Sequence, residues 1–196
     1  MIILASNSPR RKELLKGLDI EYRTWVIPDI DESYPETLKA EETAEYISRK
    51  KSEPYFLEPH VRNISDNDIV LTADTVVILE GRVMGKPADE AEACQMLRDL
   101  SGKEHSVITG VCLRSKTKTR TFSVRTAVEF DNLSDEQIKY YVAKYKPLDK
   151  AGAYGVQEWI GYVGVTRLAG SYFNVMGLPV QRLYSELKNR NIIQTS

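Results

Sequence analysis

The chain opens on a short apolar run, Ile2 to Leu4, that breaks within two residues into small polar side chains. This predicts a buried strand over 2–5. Ser8 is a good helix N-cap and Pro9 suits the first helical position. Leu14, Leu15 and Leu18 then give an apolar helix face, which Gly17 is placed to close. IEYRTWVI (20–27) reads as a second strand ended by Pro28, and the acidic loop DIDESYPE follows. AEETAEYISRKK reads as a helix with Ala44, Ile47 and Lys51 on one face and Lys50 directed away. EPYFLEPHVRNISDND, with two prolines, reads as loop.

IVLTADTVVIL (69–79) is the strongest strand pattern in the chain, and Glu80-Gly81-Arg82 looks like a turn into a short return strand at Val83-Met84. ADEAEACQMLRDLSG is an amphipathic helix with Ala93, Met96, Leu97 and Leu100 inward and Gly102 past its end. SVITGVCLRS and RTFSVRTAVEF flank the basic turn KTKT as an antiparallel hairpin. SDEQIKYYVAKYK begins with a capping box, Ser134 and Gln137, and stops before Pro147. A glycine-rich stretch covers 152–177, and LPVQRLYSELKNR reads as the last helix. Strands and helices mix without strict βαβ alternation, so the expected class is α/β around a mixed sheet, with two lobes and a cleft between them.

Composition narrows the chemistry. The 196 residues carry a formal net charge of −1, which argues against long nucleic acid as a partner and makes any anion site local. Cys94 and Cys112 form no CxxC and read as reduced core residues. No signal-peptide pattern or membrane-length apolar run is present, so a soluble cytoplasmic protein is expected. His60 and His105 share no ligand spacing. A catalytic metal would therefore be held by oxygen, which suits Mg²⁺ or Mn²⁺.

Four groups of residues stand out. Ser6, Ser8, Arg10 and Arg11 surround a helix start, where hydroxyls, free N–H groups and guanidinium forks bind phosphate. Paired arginines oppose the positive end of the helix dipole, so removing either should barely affect stability. The competing reading is a solvated turn. No Walker loop accompanies them. Asp74 sits in the middle of an apolar strand and needs a cationic or metal partner, or else a place at a ladder edge. Lys51 on an apolar helix face suits an anionic partner or a snorkelling stem, and Asp31 and Glu32 could hold a divalent ion or face solvent. Lys86 lies in the rigid turn Gly85-Lys86-Pro87. In AGAYGVQ and GSYFNVMGLP the glycines permit close backbone approach, and Gln157 can either read a base edge or brace a loop.

LASNSPRR, ADTVV, GKP, PLDKAGAYGVQ and GSYFNVMGLP, in this order across nearly the whole chain, resemble the Maf family of nucleoside triphosphate pyrophosphatases. The resemblance implies a fold similar to the inosine triphosphate pyrophosphatases: an elongated mixed sheet flanked by helices, with two lobes and a nucleotide cleft. It implies hydrolysis of a nucleoside triphosphate to monophosphate and pyrophosphate with a divalent metal, and a homodimer. Carried over residue by residue, it places phosphate binding on Ser6, Arg10, Arg11, Lys51 and Lys86. The essential acid is Asp74, as general base or metal ligand, with Glu32 helping to hold the ion. Asp31 and Lys50 are the neighbouring alternatives to Glu32 and Lys51. Thr75 and Gln157 fall to base and cleft recognition. SPRR, ADTVV and GAYGVQ look like the branch acting on dTTP and UTP rather than on 7-methyl-GTP. The family is also associated with inhibition of septum formation, which leaves a regulatory role with a cell-division partner as the alternative.

Overall fold

A computed structural model describes residues 1–189 of the chain. Its elements in order are β1 (Ile2–Leu4), α1 (Pro9–Lys16), β2 (Tyr22–Thr24), α2 (Ala40–Ser52), β3 (Ile69–Leu79), β4 (Arg82–Met84), α3 (Glu90–Leu100), β5 (Glu104–Arg114), β6 (Thr119–Phe130), α4 (Asp135–Tyr145), α5 (Trp159–Gly164), β7 (Val165–Ala169), α6 (Tyr172–Met176) and α7 (Val180–Lys188). The seven strands form one sheet in the order β2-β1-β3-β5-β6-β7, with β4 paired to β3. The sheet is mixed: β1 runs parallel to β2 and β3, whereas β4 and β7 pair antiparallel with β3 and β6. This is the α/β class that the pattern predicts.

The chain divides into two compact units. The first comprises Met1–Asp74, Thr109–Val124 and the described residues from Gly177; the second comprises Thr75–Ile108 and Arg125–Met176. Strands β3, β5 and β6 contribute to both. In the first unit, Ile3, Tyr55, Ile64 and Val70 form a buried cluster. The backbone of α2 lies directly against β5, because a Cβ on Gly110 would sit 2.3 Å from the Ala44 carbonyl. Thr72 Oγ donates to the Ser48 carbonyl at 2.5 Å and fixes α2 against β3. In the second unit, Ala93, Leu97 and Leu100 of α3 and Ile138, Tyr141 and Val142 of α4 pack with Val77, Leu79, Val107, Val128 and Phe130.

Several local expectations change in the folded chain. Gly17 caps α1 at φ −65°, in the right-handed region, and the positive φ falls two residues later at Asp19. The strand read over 20–27 is limited to Tyr22–Thr24, because Trp25 and Ile27 turn into the first unit's core instead of extending the ladder. Two 3-10 turns, Glu53–Phe56 and His60–Asn63, occupy the segment read as loop. The glycine-rich stretch contains α5, β7 and α6, which the periodicity did not predict. Of the last helix, Arg190 lies outside the described residues.

Candidate active site

Parallel pairing decides where the chemistry gathers. Because β1 is parallel to β2 and β3, the segments leaving β1 and β2 emerge beside the later half of β3, the edge where α/β sheets commonly bind ligands. The segment after β1 carries Ser6, Arg10 and Arg11. The loop after β2 carries Asp31 and Glu32. Asp74 lies three residues beyond Leu71, the last β3 residue paired with β1.

The turn from β1 into α1 is held by its own hydroxyls. The Ser8 backbone N–H donates to Ser6 Oγ at 3.2 Å, and the Arg11 N–H donates to Ser8 Oγ at 3.4 Å. Ser6 is buried, and the first turn of α1 contains no acidic residue. Arg11 Nε donates to the Gly177 carbonyl at 2.8 Å. Burial of this guanidinium pulls Arg11 below the ordinary arginine range, the neighbouring Asp74 carboxylate opposes that shift, and Arg10 adds to it. Arginine nonetheless stays charged, so the direction of the shift reports a desolvated cation held near a carboxylate. This corrects one expectation: Arg11 is built into the structure and is not a free surface charge, so removing it disturbs the fold as well as the site.

Lys51 is the centre of the arrangement. Its Nζ lies 2.7 Å from Asp74 Oδ1 and 3.0 Å from Glu32 Oε1. The lysine and aspartate side chains are 15% and 13% exposed, so this pair is largely withdrawn from water, whereas Glu32 is half exposed. The adjacent residues form a separate, outer pair. Lys50 Nζ contacts Asp31 Oδ2 at 2.6 Å and the Ser33 carbonyl at 2.8 Å. The Lys50 ammonium, aided by the Ser33 backbone and hydroxyl, holds Asp31 down to about 2. Of the two registers open at the sequence level, Lys51 therefore joins Glu32 and Asp74, while Asp31 and Lys50 tether the loop.

The remaining predicted residues belong to the second unit. Thr75 follows Asp74 on β3 and is partly buried. Lys86 is exposed, and its turn is pinned where the Gly152 N–H donates to the Gly85 carbonyl at 3.0 Å. Gln157 presents a buried Oε1 that accepts no hydrogen bond. It sits in a turn closed by the Glu158 N–H donating to the Gly155 carbonyl at 2.9 Å. A Cβ on Gly155 would lie 2.9 Å from Gln157 Nε2, which shows how closely the amide folds back over the turn.

Among the described residues no group of three or more His, Cys, Asp or Glu could hold a metal ion. Two carboxylates, Asp74 and Glu32, do converge on Lys51. That donor set fits Mg²⁺ or Mn²⁺ of the kind that takes one or two carboxylates and completes its shell with water and substrate phosphate.

Two anchors escape sequence reasoning. The Gly177 carbonyl under Arg11 is a backbone group with no side-chain signature. Lys150 in PLDKAGAYG is 8% exposed and pairs with Asp149 and Glu158 at 2.8 and 3.2 Å. Its only sequence signal is a charged residue entering a glycine-rich, apolar stretch.

Residues 1–190 match the family described as Maf-like protein. A dTTP/UTP pyrophosphatase of Phocaeicola vulgatus is 59% identical over 187 residues, covering 95% of this chain and 94% of that protein. Proteins of the same name from Parabacteroides distasonis and Bacteroides thetaiotaomicron are 55% and 54% identical. They cover 96% and 95% of this chain, and the matches span 95% and 94% of those proteins. With the match running from the first strand through the last helix, the chain belongs to the Maf family.

Proposed function

We propose that this protein hydrolyses nucleoside triphosphates, foremost dTTP and UTP, to the monophosphate and pyrophosphate. The observation that carries this reading is the largely buried Lys51 joined to Asp74 and Glu32, with the desolvated Arg11 close to the same carboxylate. It is supported by the names of the relatives, which match the chain over nearly its whole length.

In this mechanism the triphosphate lies over the start of α1. Ser6, Arg10, Arg11 and Lys51 neutralise its oxygens and the charge that develops as the leaving group departs, and the family resemblance adds Lys86 as a further phosphate-binding residue. Asp74 orients a water molecule and accepts its proton. The water oxygen bonds to the α-phosphorus, the bridging oxygen between the α- and β-phosphates leaves with the pyrophosphate, and Asp74 returns its proton to solvent. Asp74 and Glu32 would hold Mg²⁺ or Mn²⁺, which would supply further neutralisation of phosphate charge. Lys51 holds the Asp74 carboxylate in place until substrate arrives.

The unpaired Gln157 Oε1 supports a role in base recognition. Uracil and thymine carry an N3–H donor between two carbonyl acceptors, which suits an amide that offers one acceptor and two donors. With Oε1 held opposite ring position N3, cytosine presents an acceptor there and leaves Oε1 unpaired, a mismatch that polar sites reject strongly. Thr75, next to the acid, lines the same recognition step. A homodimer and a cytoplasmic location belong to this reading. A purely regulatory role in septum formation is not favoured, because the acid and its cations are intact and paired.

The test is product analysis with dTTP and UTP in the presence of Mg²⁺ or Mn²⁺. Pyrophosphate and monophosphate are expected, and orthophosphate with diphosphate would overturn the cleavage site. Asp74→Asn preserves volume and should lose at least about a hundredfold in turnover while melting as a folded protein. Near-normal kcat in that variant would remove Asp74 from the mechanism.

A further inference from the structure

The second unit contains a buried polar relay that the hydrolytic steps do not use. Lys150 Nζ pairs with Glu158 Oε1 at 3.2 Å, and the other oxygen of Glu158 accepts a hydrogen bond from the Tyr141 hydroxyl. That hydroxyl accepts the Gly155 backbone N–H at 3.0 Å. Tyr141 is fully buried and Lys150 nearly so. The relay therefore ends on Gly155 and on Glu158, the first and last residues of the turn that carries Gln157. Gly161 ties back to the same turn, its N–H donating to the Glu158 carbonyl at 2.8 Å, and it packs so closely that an added Cβ would meet the Val156 carbonyl at 1.8 Å.

A buried lysine–carboxylate pair is weak evidence for stability, because desolvating both charges offsets much of their attraction. An apolar core would hold α4 against this loop equally well. What the relay supplies is direction: hydrogen bonds fix the turn's ends at set distances, and both neighbours of the Val156-Gln157 pair are tied to one phenol–carboxylate unit. Between those ties Gln157 Oε1 is left buried and unpaired.

We propose that Tyr141, Glu158 and Lys150 are positioning residues for base selection. By locking the Gly155–Glu158 turn they aim the Gln157 amide, so that the site accepts an N3–H donor and refuses an N3 acceptor. This rests on the reading of Gln157 as the base-recognising side chain. Tyr141 contributes through the turn without touching the nucleotide. If the relay is cut, the amide swings and both base types are tolerated.

The test compares kcat/KM for UTP and CTP in the full-length protein. Tyr141→Phe removes only the hydroxyl and should reduce the UTP:CTP ratio by about tenfold, chiefly through KM, while kcat with UTP falls less. Glu158→Gln, the second variant, cuts the charged pair with Lys150 and should shift the ratio in the same direction. In the Gln157→Ala background, Tyr141→Phe should change the ratio no further, since there is no amide left to aim. Equal losses for UTP and CTP in both single variants, or an additive loss in the double variant, would overturn the proposal and leave the relay a structural role. Failure of the underlying reading looks different: Gln157→Ala itself would then leave the ratio unchanged.

Discussion

At the residue scale, Lys51 and Arg11 show how burial turns an ordinary charge into a site. Lys51 is withdrawn from water only because two carboxylates meet it, and either without the other leaves an uncompensated charge in a poorly hydrated place. Arg11 combines two tasks. Its Nε holds the Gly177 carbonyl, which orders the chain entering α7, while its charge lies close to Asp74. Arg11→Ala should therefore lower stability by about 1–3 kcal/mol, the usual loss when a buried carbonyl is left without its partner. It should also weaken catalysis. Thermal melts read the first effect, and a wild-type melting temperature would contradict the structural half of the role.

At the element scale, the two glycines Gly17 and Gly110 have opposite meanings. Gly17 ends α1 in right-handed backbone, and an added Cβ would meet only the Leu14 and Glu13 carbonyls at 3.5 and 3.8 Å, ordinary contact distances. Gly17→Ala should consequently stabilise the protein by about 0.4–1 kcal/mol, chiefly by restricting the unfolded chain. Gly110 is needed because α2 lies backbone-to-backbone on β5 there. Gly110→Ala should lift α2 away from the sheet, cost on the order of 1–3 kcal/mol and shift Lys51 relative to Asp74. Activity should thus fall with Gly110→Ala even below the melting temperature. Chemical denaturation of both variants checks the signs; a destabilised Gly17→Ala would mean that the helix end uses the glycine after all.

At the scale of the whole molecule, stability should depend on pH through His105. This histidine is buried among Phe130 and Tyr154, with Nε2 2.7 Å from the Tyr154 hydroxyl. Burial pushes it down to about 4. The unfolded chain takes up the proton near pH 6.5, so between those values the unfolded state binds more protons than the folded one. The sign follows: stability is retained above about pH 6.5 and falls as the pH drops towards 4. The change is on the order of 3 kcal/mol from this group. His105→Gln should flatten that slope in melts taken across the interval. An unaltered slope would assign the acid sensitivity to other groups.

Much of the molecule is legible from residue order alone. The apolar run 69–79, the Ser134 capping box and the Ser8–Pro9 helix start are local signals, and each element forms where its own residues dictate. Arg10, Arg11, Lys51 and Asp74 mark themselves in the sequence, because a charge in an apolar strand or on an apolar helix face, or arginines at a helix start, conflict with local preference, whereas Ser6 and Gln157 are singled out by the family motifs. Periodicity missed β7, α5 and α6, since short elements in a glycine-rich stretch take their shape from packing and not from propensity. It likewise could not choose Glu32 over Asp31. That choice depends on how Lys50 ties the loop after β2, a contact between residues 19 apart. The Lys150–Glu158–Tyr141 relay and the Gly177 carbonyl under Arg11 were also decided only by tertiary structure. Sequence specifies which groups are present and which local backbone they prefer; the parallel register of β1, β2 and β3 and the close approach of α2 determine which of those groups lose water together, and loss of water is what gives their charges chemical force.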